Sequence, residues 1–274
     1  MADAAAKPGS DLTVRVVSAL ALAPVVIAAV WFGGPAYALL ALAAAAIVVW
    51  EWMRIVGMRP RQLMQAAVWA GLVIAAWYAL AGDLTAAGIC AFMAAGVAAG
   101  FGWPRWAWAA GGALYAALPM IAFIALREGE AGLIATAWLV AIVWATDIFA
   151  YFSGRAIGGP KIWPAVSPKK TWAGLIGGTL AAAVAGALVA RAGGLAMLPL
   201  AVLGAVLAVA SQAGDFAESA VKRRFGVKDA SNIIPGHGGV MDRIDGLGAA
   251  AVIALCIGLL RSGGQAPAAG LMIW

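Results

Sequence analysis

Long apolar segments alternate with short polar or glycine- and proline-rich connections along nearly the whole chain. A helix needs about 20 mostly apolar residues to cross the hydrocarbon core of a bilayer, and runs of this length recur here. Backbone groups in lipid must be satisfied internally, and Ala- and Leu-rich runs favour helices over the short alternating strands of a barrel. We predict nine spans, near 16–33, 36–53, 64–82, 84–101, 107–126, 131–153, 172–192, 195–221 and 244–261.

Composition supports a membrane protein. Hydrophobic residues make up 65% of the chain and charged residues only 11%, whereas soluble domains carry about 25% charged residues. The predicted fold is therefore an all-α, polytopic transmembrane bundle. We divide it into residues 1–130, expected to provide packing helices without a clear site, and residues 131–274, which contain two long polar loops at 154–171 and 222–243.

The basic residues predict the orientation of this bundle. With the N-terminus in the cytoplasm, 15 of the 18 Lys and Arg residues fall on the cytoplasmic side. Lys7, Arg59 and Arg61 belong to this cytoplasmic set. This asymmetry follows the positive-inside rule and places both long loops in the cytoplasm. The net charge of +6 suits anionic lipid headgroups, so we expect membrane lipid and no nucleic acid as a partner.

The first five predicted spans carry almost no ionisable groups within their apolar cores, and the contrast begins at Asp147, deep in the sixth predicted span. Placing a carboxylate inside a membrane span costs free energy, so Asp147 marks either a functional site or a polar contact that holds helices together. Tyr151 and Arg155 follow at intervals of four residues, on the same helical face. This stripe leads into the first loop, where Ser167, Lys169 and Lys170 precede the seventh span.

Lysines and a hydroxyl at a helix N-terminus favour phosphate, because free N–H groups and the positive end of the dipole add to the ammonium charges. The Walker A spacing is absent. Membrane-surface basicity is the alternative interpretation of this loop.

Acidic residues flank the second loop. Four polar residues before it share one helical face, at i, i+3, i+4 and i+7: Asp215, Glu218, Ser219 and Lys222. Asp242 and Asp245, three residues apart, lie where this loop meets the last span. Hard oxygen ligands of this kind suit Mg²⁺. Carboxylates that bind a cation, next to basic side chains that bind phosphate, are typical of sites for phosphoryl or nucleotidyl transfer.

The run from Ser219 to Asp245 (SAVKRRFGVKDASNIIPGHGGVMDRID) resembles the signature of the phosphatidate cytidylyltransferases, also called CDP-diacylglycerol synthases. The upstream sequences GDFAES around Asp215 and SPKKTW around Lys169 also resemble that family. The specific resemblance covers residues 145–245. It implies that CTP and phosphatidic acid react to give CDP-diacylglycerol and pyrophosphate in phospholipid biosynthesis.

The resemblance also implies a divalent cation, usually Mg²⁺, with a second, monovalent cation as an option. It assigns Asp215, Lys222 and Asp242 as catalytic residues. Asp215 and Asp242 are the expected main metal ligands, supported by Glu218 and Asp245. The expected substrate-binding residues are Asp147, Ser167, Lys169, Lys170, Ser219, Arg223, Lys228, His237, Gly238, Gly239 and Arg243.

Other interpretations stay open at this point. His237 either orders the glycine-rich turn or contacts phosphate, and proton transfer is its alternative role. For the whole chain, the alternatives are a secondary transporter with an ionisable pathway, another nucleotide-dependent lipid-phosphate transferase, or a membrane scaffold. We expect a bacterial inner-membrane protein with its active site facing the cytoplasm, and a homodimer is left open.

Overall fold

A computed structural model describes residues 8–58 and 62–274, and these residues form a helical bundle. Its helices are α1 Pro8–Phe32, α2 Gly34–Ile55, α3 Gln62–Leu80, α4 Leu84–Phe101, α5 Trp106–Arg127, α6 Gly132–Ala156, α7 Trp172–Ala192, α8 Met197–Arg224, α9 Met241–Ser262 and α10 Pro267–Met272. The predicted fold class is confirmed, and α1–α9 correspond to the nine predicted spans. The short α10 was not predicted.

Two boundaries differ from the prediction in a way that affects the site. Helix α8 continues to Arg224 rather than ending at residue 221, and α9 begins at Met241 rather than at residue 244. Both helices carry polar residues beyond their apolar segments, so hydropathy alone placed the end of α8 too early and the start of α9 too late. Lys222 and Asp242, at the two ends of the predicted loop 222–243, consequently both lie on helices.

Eight described helices, α2–α9, are long and apolar enough to cross a membrane, and Val16–Phe32 forms a shorter apolar stretch. The chain is therefore an integral membrane protein. Lys7, Arg59 and Arg61 lie outside the described residues, and the direction in which the bundle crosses the membrane stays a prediction.

The connections after α2, α4, α6 and α8 gather at one end of the bundle, which we call the loop end. There, Arg105 donates a hydrogen bond to the carbonyl of Val56, and the rings of Trp108 and Phe225 meet edge to face at 4.9 Å. At the opposite end, Arg127 donates to the carbonyl of Val30 at 2.6 Å. Lys170 in loop 154–171 pairs with Asp215 on α8, and loop 222–243 follows α8, so both long polar loops belong to the loop end.

Helices α8 and α9 approach closely at two glycines. A Cβ atom on Gly214 would lie 2.8 Å from the Asp245 carbonyl oxygen, and one on Gly246 would lie 3.1 Å from the Ser211 carbonyl oxygen. Small residues allow this kind of backbone approach between membrane helices. Because Gly214 precedes Asp215 and Gly246 follows Asp245, the close approach brings the two carboxylates together.

Helix α2 packs on α5 through Trp52. Its indole N–H donates to the carbonyl of Trp108 at 2.8 Å, and its ring lies 5.1 Å from that of Tyr115. Gly112 leaves the space that the indole occupies, since a Cβ atom there would overlap it. This packing fixes the neighbouring residue, Glu51, at the loop end.

Candidate active site

Three carboxylates form the centre of the site. Asp215 and Glu218 on α8 and Asp245 on α9 each offer an oxygen atom, and these oxygens lie within 4.8 Å of one another. Ser219 donates to Asp215 at 3.3 Å, as expected for residues one turn apart on the predicted face.

The donor set fits a divalent cation. Carboxylate oxygens are hard ligands of the kind that Mg²⁺ and Ca²⁺ take. Glu218 is buried, and its Oε1 atom has no hydrogen-bond partner in the described part of the chain. A cation would offset the mutual repulsion of the three carboxylates and provide a partner for that oxygen.

Two lysines adjoin these carboxylates. Lys222 is buried, and its ammonium group donates to Glu218 at 3.1 Å and to Asp242 at 2.7 Å. Lys170 lies 2.5 Å from a carboxylate oxygen of Asp215. The structure therefore brings the basic end of loop 154–171 to the acidic face of α8.

Asp242, which was expected to be a main metal ligand, is not part of the three-carboxylate group. Its carboxylate accepts hydrogen bonds from Lys222, from the Ala230 N–H at 3.0 Å and from the Gly239 N–H at 2.9 Å. Asp242 lies in the first turn of α9, where its side chain reaches back to the preceding loop. Asp245, expected only in a supporting role, joins the three-carboxylate group instead.

Glu51 on α2 also belongs to this region, and sequence reasoning missed it. It is fully buried and accepts hydrogen bonds from Ser231 at 2.5 Å, Val240 N–H at 3.0 Å and Met241 N–H at 2.7 Å. Residues 1–130 were expected to provide packing alone, but α2 ends against the loop that precedes α9. The sequence signal that could have identified Glu51 was the presence of a carboxylate within the predicted span 36–53.

Tyr115 on α5 is a second contribution from the N-terminal half. Its hydroxyl is buried and has no hydrogen-bond partner among the described residues. The carboxylates of Glu218 and Asp245 are close enough to act on it electrostatically. An aromatic residue in an apolar span carries no sequence signal that would have placed Tyr115 beside the carboxylates.

The glycine-rich turn is held at several points. His237 Nδ1 lies 3.0 Å from the Ser18 hydroxyl, and Arg243 donates to the His237 carbonyl at 2.6 and 2.9 Å. Gly238 has a φ of +85° and lies against the Asp242 carboxylate. The structure thus places His237 and Arg243 in contacts that order the turn.

The remaining predicted residues are more peripheral. Lys169 and Lys228 are exposed, and Ser167 is half-buried. Arg223 donates to the Val227 carbonyl at 3.0 Å and closes the end of α8. Asp147 is exposed on α6, although Asp245, Asp215 and Lys170 are close enough to act on it electrostatically. The Asp147 stripe continues as predicted, since Arg155 donates to the Tyr151 hydroxyl at 3.3 Å.

Two cavities flank the loop between α8 and α9. A polar cavity of about 710 Å³ is lined by Trp50, Arg54 and residues 227–233. An apolar cavity of about 860 Å³ lies between α1 and α2, bordered by residues 233–235 and by Arg243. The loop therefore separates a polar space from an apolar one.

An integral helical bundle with clustered carboxylates and lysines at one end suits a membrane-embedded enzyme that acts on phosphate groups. The chain belongs to the cytidylyltransferase family, whose model matches residues 13–260, and it is therefore an enzyme of the nucleotidyltransferase class. It is 38% identical to the phosphatidate cytidylyltransferase of Brucella suis over 273 residues, covering 95% of this chain and 98% of that protein. The phosphatidate cytidylyltransferases of Pseudomonas aeruginosa and Haemophilus influenzae are 36% and 32% identical, each covering 86% of this chain and 93% and 94% of their own lengths.

Proposed function

We propose that this protein transfers the CMP moiety of CTP to phosphatidic acid, giving CDP-diacylglycerol and pyrophosphate. The observation that carries the proposal is the cluster of Asp215, Glu218 and Asp245 beside Lys170 and Lys222, in a chain of the cytidylyltransferase family. The substrates in this proposal are inferred from the relatives, which are named phosphatidate cytidylyltransferases. A transporter is not favoured, because the charges concentrate at the loop end rather than at midplane, where transporter sites lie.

In this reaction a phosphate oxygen of phosphatidic acid attacks the α-phosphorus of CTP. A new P–O–P linkage forms, the bond between the α- and β-phosphates breaks, and the electron pair leaves with pyrophosphate. Both reactants are anionic, so their repulsion must be offset before they approach in line. We assign Asp215, Glu218 and Asp245 to hold Mg²⁺, which supplies that neutralisation when bound.

The two lysines have different proposed roles. Lys170 is half-buried and paired with a single carboxylate, so it remains able to turn toward a phosphate, with the exposed Lys169 beside it. Lys222 is buried between two carboxylates. We therefore propose that Lys222 fixes Glu218 and Asp242 in place, and that it acts on the substrates through them.

The two cavities suggest separate routes for the substrates. Arg54 and Lys228 make the polar cavity suitable for a nucleoside triphosphate. The apolar cavity, with Arg243 at its border, suits the acyl chains and the headgroup of a lipid. CTP is an intracellular nucleotide, so the loop end is proposed to face the cytoplasm from the bacterial inner membrane. A homodimer and a monovalent second cation stay predictions.

The test is CDP-diacylglycerol formation from labelled CTP and phosphatidic acid by the purified protein, with Mg²⁺ titrated against EDTA. Asp215→Asn removes a proposed ligand, and Asp83→Asn makes the same change at an exposed position at the N-cap of α4, where asparagine is as well suited as aspartate. Metal ions contribute several kcal/mol to the stabilisation of transition-state charge, so we expect Asp215→Asn to lose about a hundredfold or more in rate. Full activity in EDTA, or equal rates for the two variants, would contradict the proposed mechanism.

A further inference from the structure

We propose that Glu51 is a positioning residue for the active site, which holds residues 229–240 and the first turn of α9 in place from α2. This inference rests on the proposed function for its catalytic consequence. Its structural part stands on the contacts of the Glu51 carboxylate alone.

Both oxygens of Glu51 are occupied by donors from one short stretch of chain. Oε1 accepts from the Ser231 hydroxyl and the Val240 N–H, and Oε2 accepts from the Met241 N–H. The first N–H groups of a helix have no acceptor within the helix. Val240, at the N-cap of α9, provides no side-chain hydrogen bond for them. Glu51 thus caps α9 from another helix, with its charge at the favourable end of the dipole.

A second carboxylate holds the same stretch from the other side. Asp242 accepts from the Ala230 and Gly239 N–H groups. A Cβ atom on Gly239 would overlap the Glu51 carboxylate and approach Ala230. The backbone at Gly239 therefore passes between the carboxylates of Glu51 and Asp242.

This arrangement connects Glu51 to the proposed metal ligands. The turn of α9 that Glu51 caps carries Asp242, which accepts from Lys222, and Lys222 also donates to Glu218. Asp245 lies one turn further along α9. A change at Glu51 that loosens the start of α9 should therefore disturb both Glu218 and Asp245.

Packing alone does not account for a carboxylate here. Burying a charged group is costly unless it is paired or hydrogen-bonded, and no ion pair to Glu51 is found among residues 8–58 and 62–274. All three of its hydrogen-bond donors are neutral groups of the loop and of α9. What the carboxylate provides, and an apolar side chain cannot, is an acceptor for these donors.

Glu51→Gln tests the inference because it preserves the shape and changes one acceptor into a donor. Whichever way the amide turns, its NH₂ group faces a backbone N–H, that of Val240 or that of Met241. We expect kcat to fall about tenfold to a hundredfold, the range for loss of a hydrogen bond to a charged group. Glu130→Gln, at an exposed position in the connection between α5 and α6, is the matched control and should leave kcat unchanged.

Two readouts do not depend on turnover. Binding of Mn²⁺, followed by electron paramagnetic resonance, should weaken in Glu51→Gln, and hydrogen exchange at the Val240 and Met241 amides should accelerate. Glu130→Gln should match wild type in both. Unchanged Mn²⁺ affinity and exchange in a folded Glu51→Gln protein would overturn the inference, even if its thermal stability fell.

The same readouts separate this inference from the proposed function. If wild type formed no CDP-diacylglycerol, the proposed function would fail, while Mn²⁺ binding and hydrogen exchange would still decide the role of Glu51. If Glu51→Gln did not fold, Ser231→Ala removes one donor from the same carboxylate. A smaller shift in the same direction is expected for that variant, and no change in either readout would count against Glu51.

Discussion

Replacing Lys222 with methionine tests whether the buried lysine holds the site together. The substitution keeps an unbranched side chain of similar length and removes the ammonium group. Glu218 and Asp242 each lose a charge-assisted hydrogen bond, at 3.1 and 2.7 Å respectively. Asp242 keeps two backbone donors, Ala230 and Gly239, so most of the damage should fall on Glu218.

The magnitude follows from these contacts. A hydrogen bond to a charged group contributes about 1.5–3 kcal/mol, and removing one partner of a buried ion pair costs about 3–5 kcal/mol. The three side chains are at most 10% exposed, so screening by solvent offers little relief. We expect Lys222→Met to lower the free energy of unfolding by about 3–5 kcal/mol.

The assay is unfolding in mixed micelles by titration with a denaturing detergent, followed by circular dichroism. Arg224→Met is the control, because Arg224 is exposed in the same turn of α8, and surface substitutions usually stay within about 0.5 kcal/mol. CDP-diacylglycerol synthesis should fall more than tenfold in Lys222→Met alone, since misplacing reacting groups slows turnover strongly. If the two variants unfolded at the same detergent concentration, the reasoning about Lys222 would be refuted.

Two further predictions concern helix packing and orientation. Gly246→Ala should force α9 away from α8 and weaken Mn²⁺ binding, with an overpacking cost of about 1–3 kcal/mol. Gly88→Ala is the control, because its added Cβ atom would have no neighbour within 4 Å, and it should leave the Mn²⁺ affinity unchanged. Equal Mn²⁺ affinities in the two variants would contradict the close approach of α8 and α9. In a cysteine-free background, Asn232→Cys and Glu130→Cys, both at exposed positions, should react with an impermeant maleimide from opposite sides of the membrane, Glu130→Cys from outside intact cells. Labelling of both from the same side would overturn the orientation.

Local periodicity explains what the sequence could predict of the site. The shared face of Asp215, Glu218, Ser219 and Lys222 follows from the helical repeat alone. The structure shows contacts along this face, of Ser219 with Asp215 and of Lys222 with Glu218. Helices α1–α9 were predictable for a similar reason, since membrane thickness fixes the length of an apolar helix.

Contacts between distant segments were beyond such reasoning. Glu51 is 189 positions away from Val240, and no pattern within α2 indicates which loop it meets. The difference between Asp242 and Asp245 has the same origin. Both residues start α9, but Asp242 turns to the preceding loop, whereas Asp245 faces α8 across the glycine contact. Only the packing of α9 distinguishes them.

The apolar cavity between α1 and α2 has a consequence for how the proposed enzyme meets its two substrates. A lipid that enters there arrives by lateral diffusion within the bilayer, while the nucleotide arrives from bulk water. The concentration that governs lipid capture is therefore the mole fraction of phosphatidic acid in the membrane, not its amount per litre. Diluting phosphatidic acid with inert lipid should slow the reaction at constant total phosphatidic acid, whereas adding more vesicles of the same composition should not.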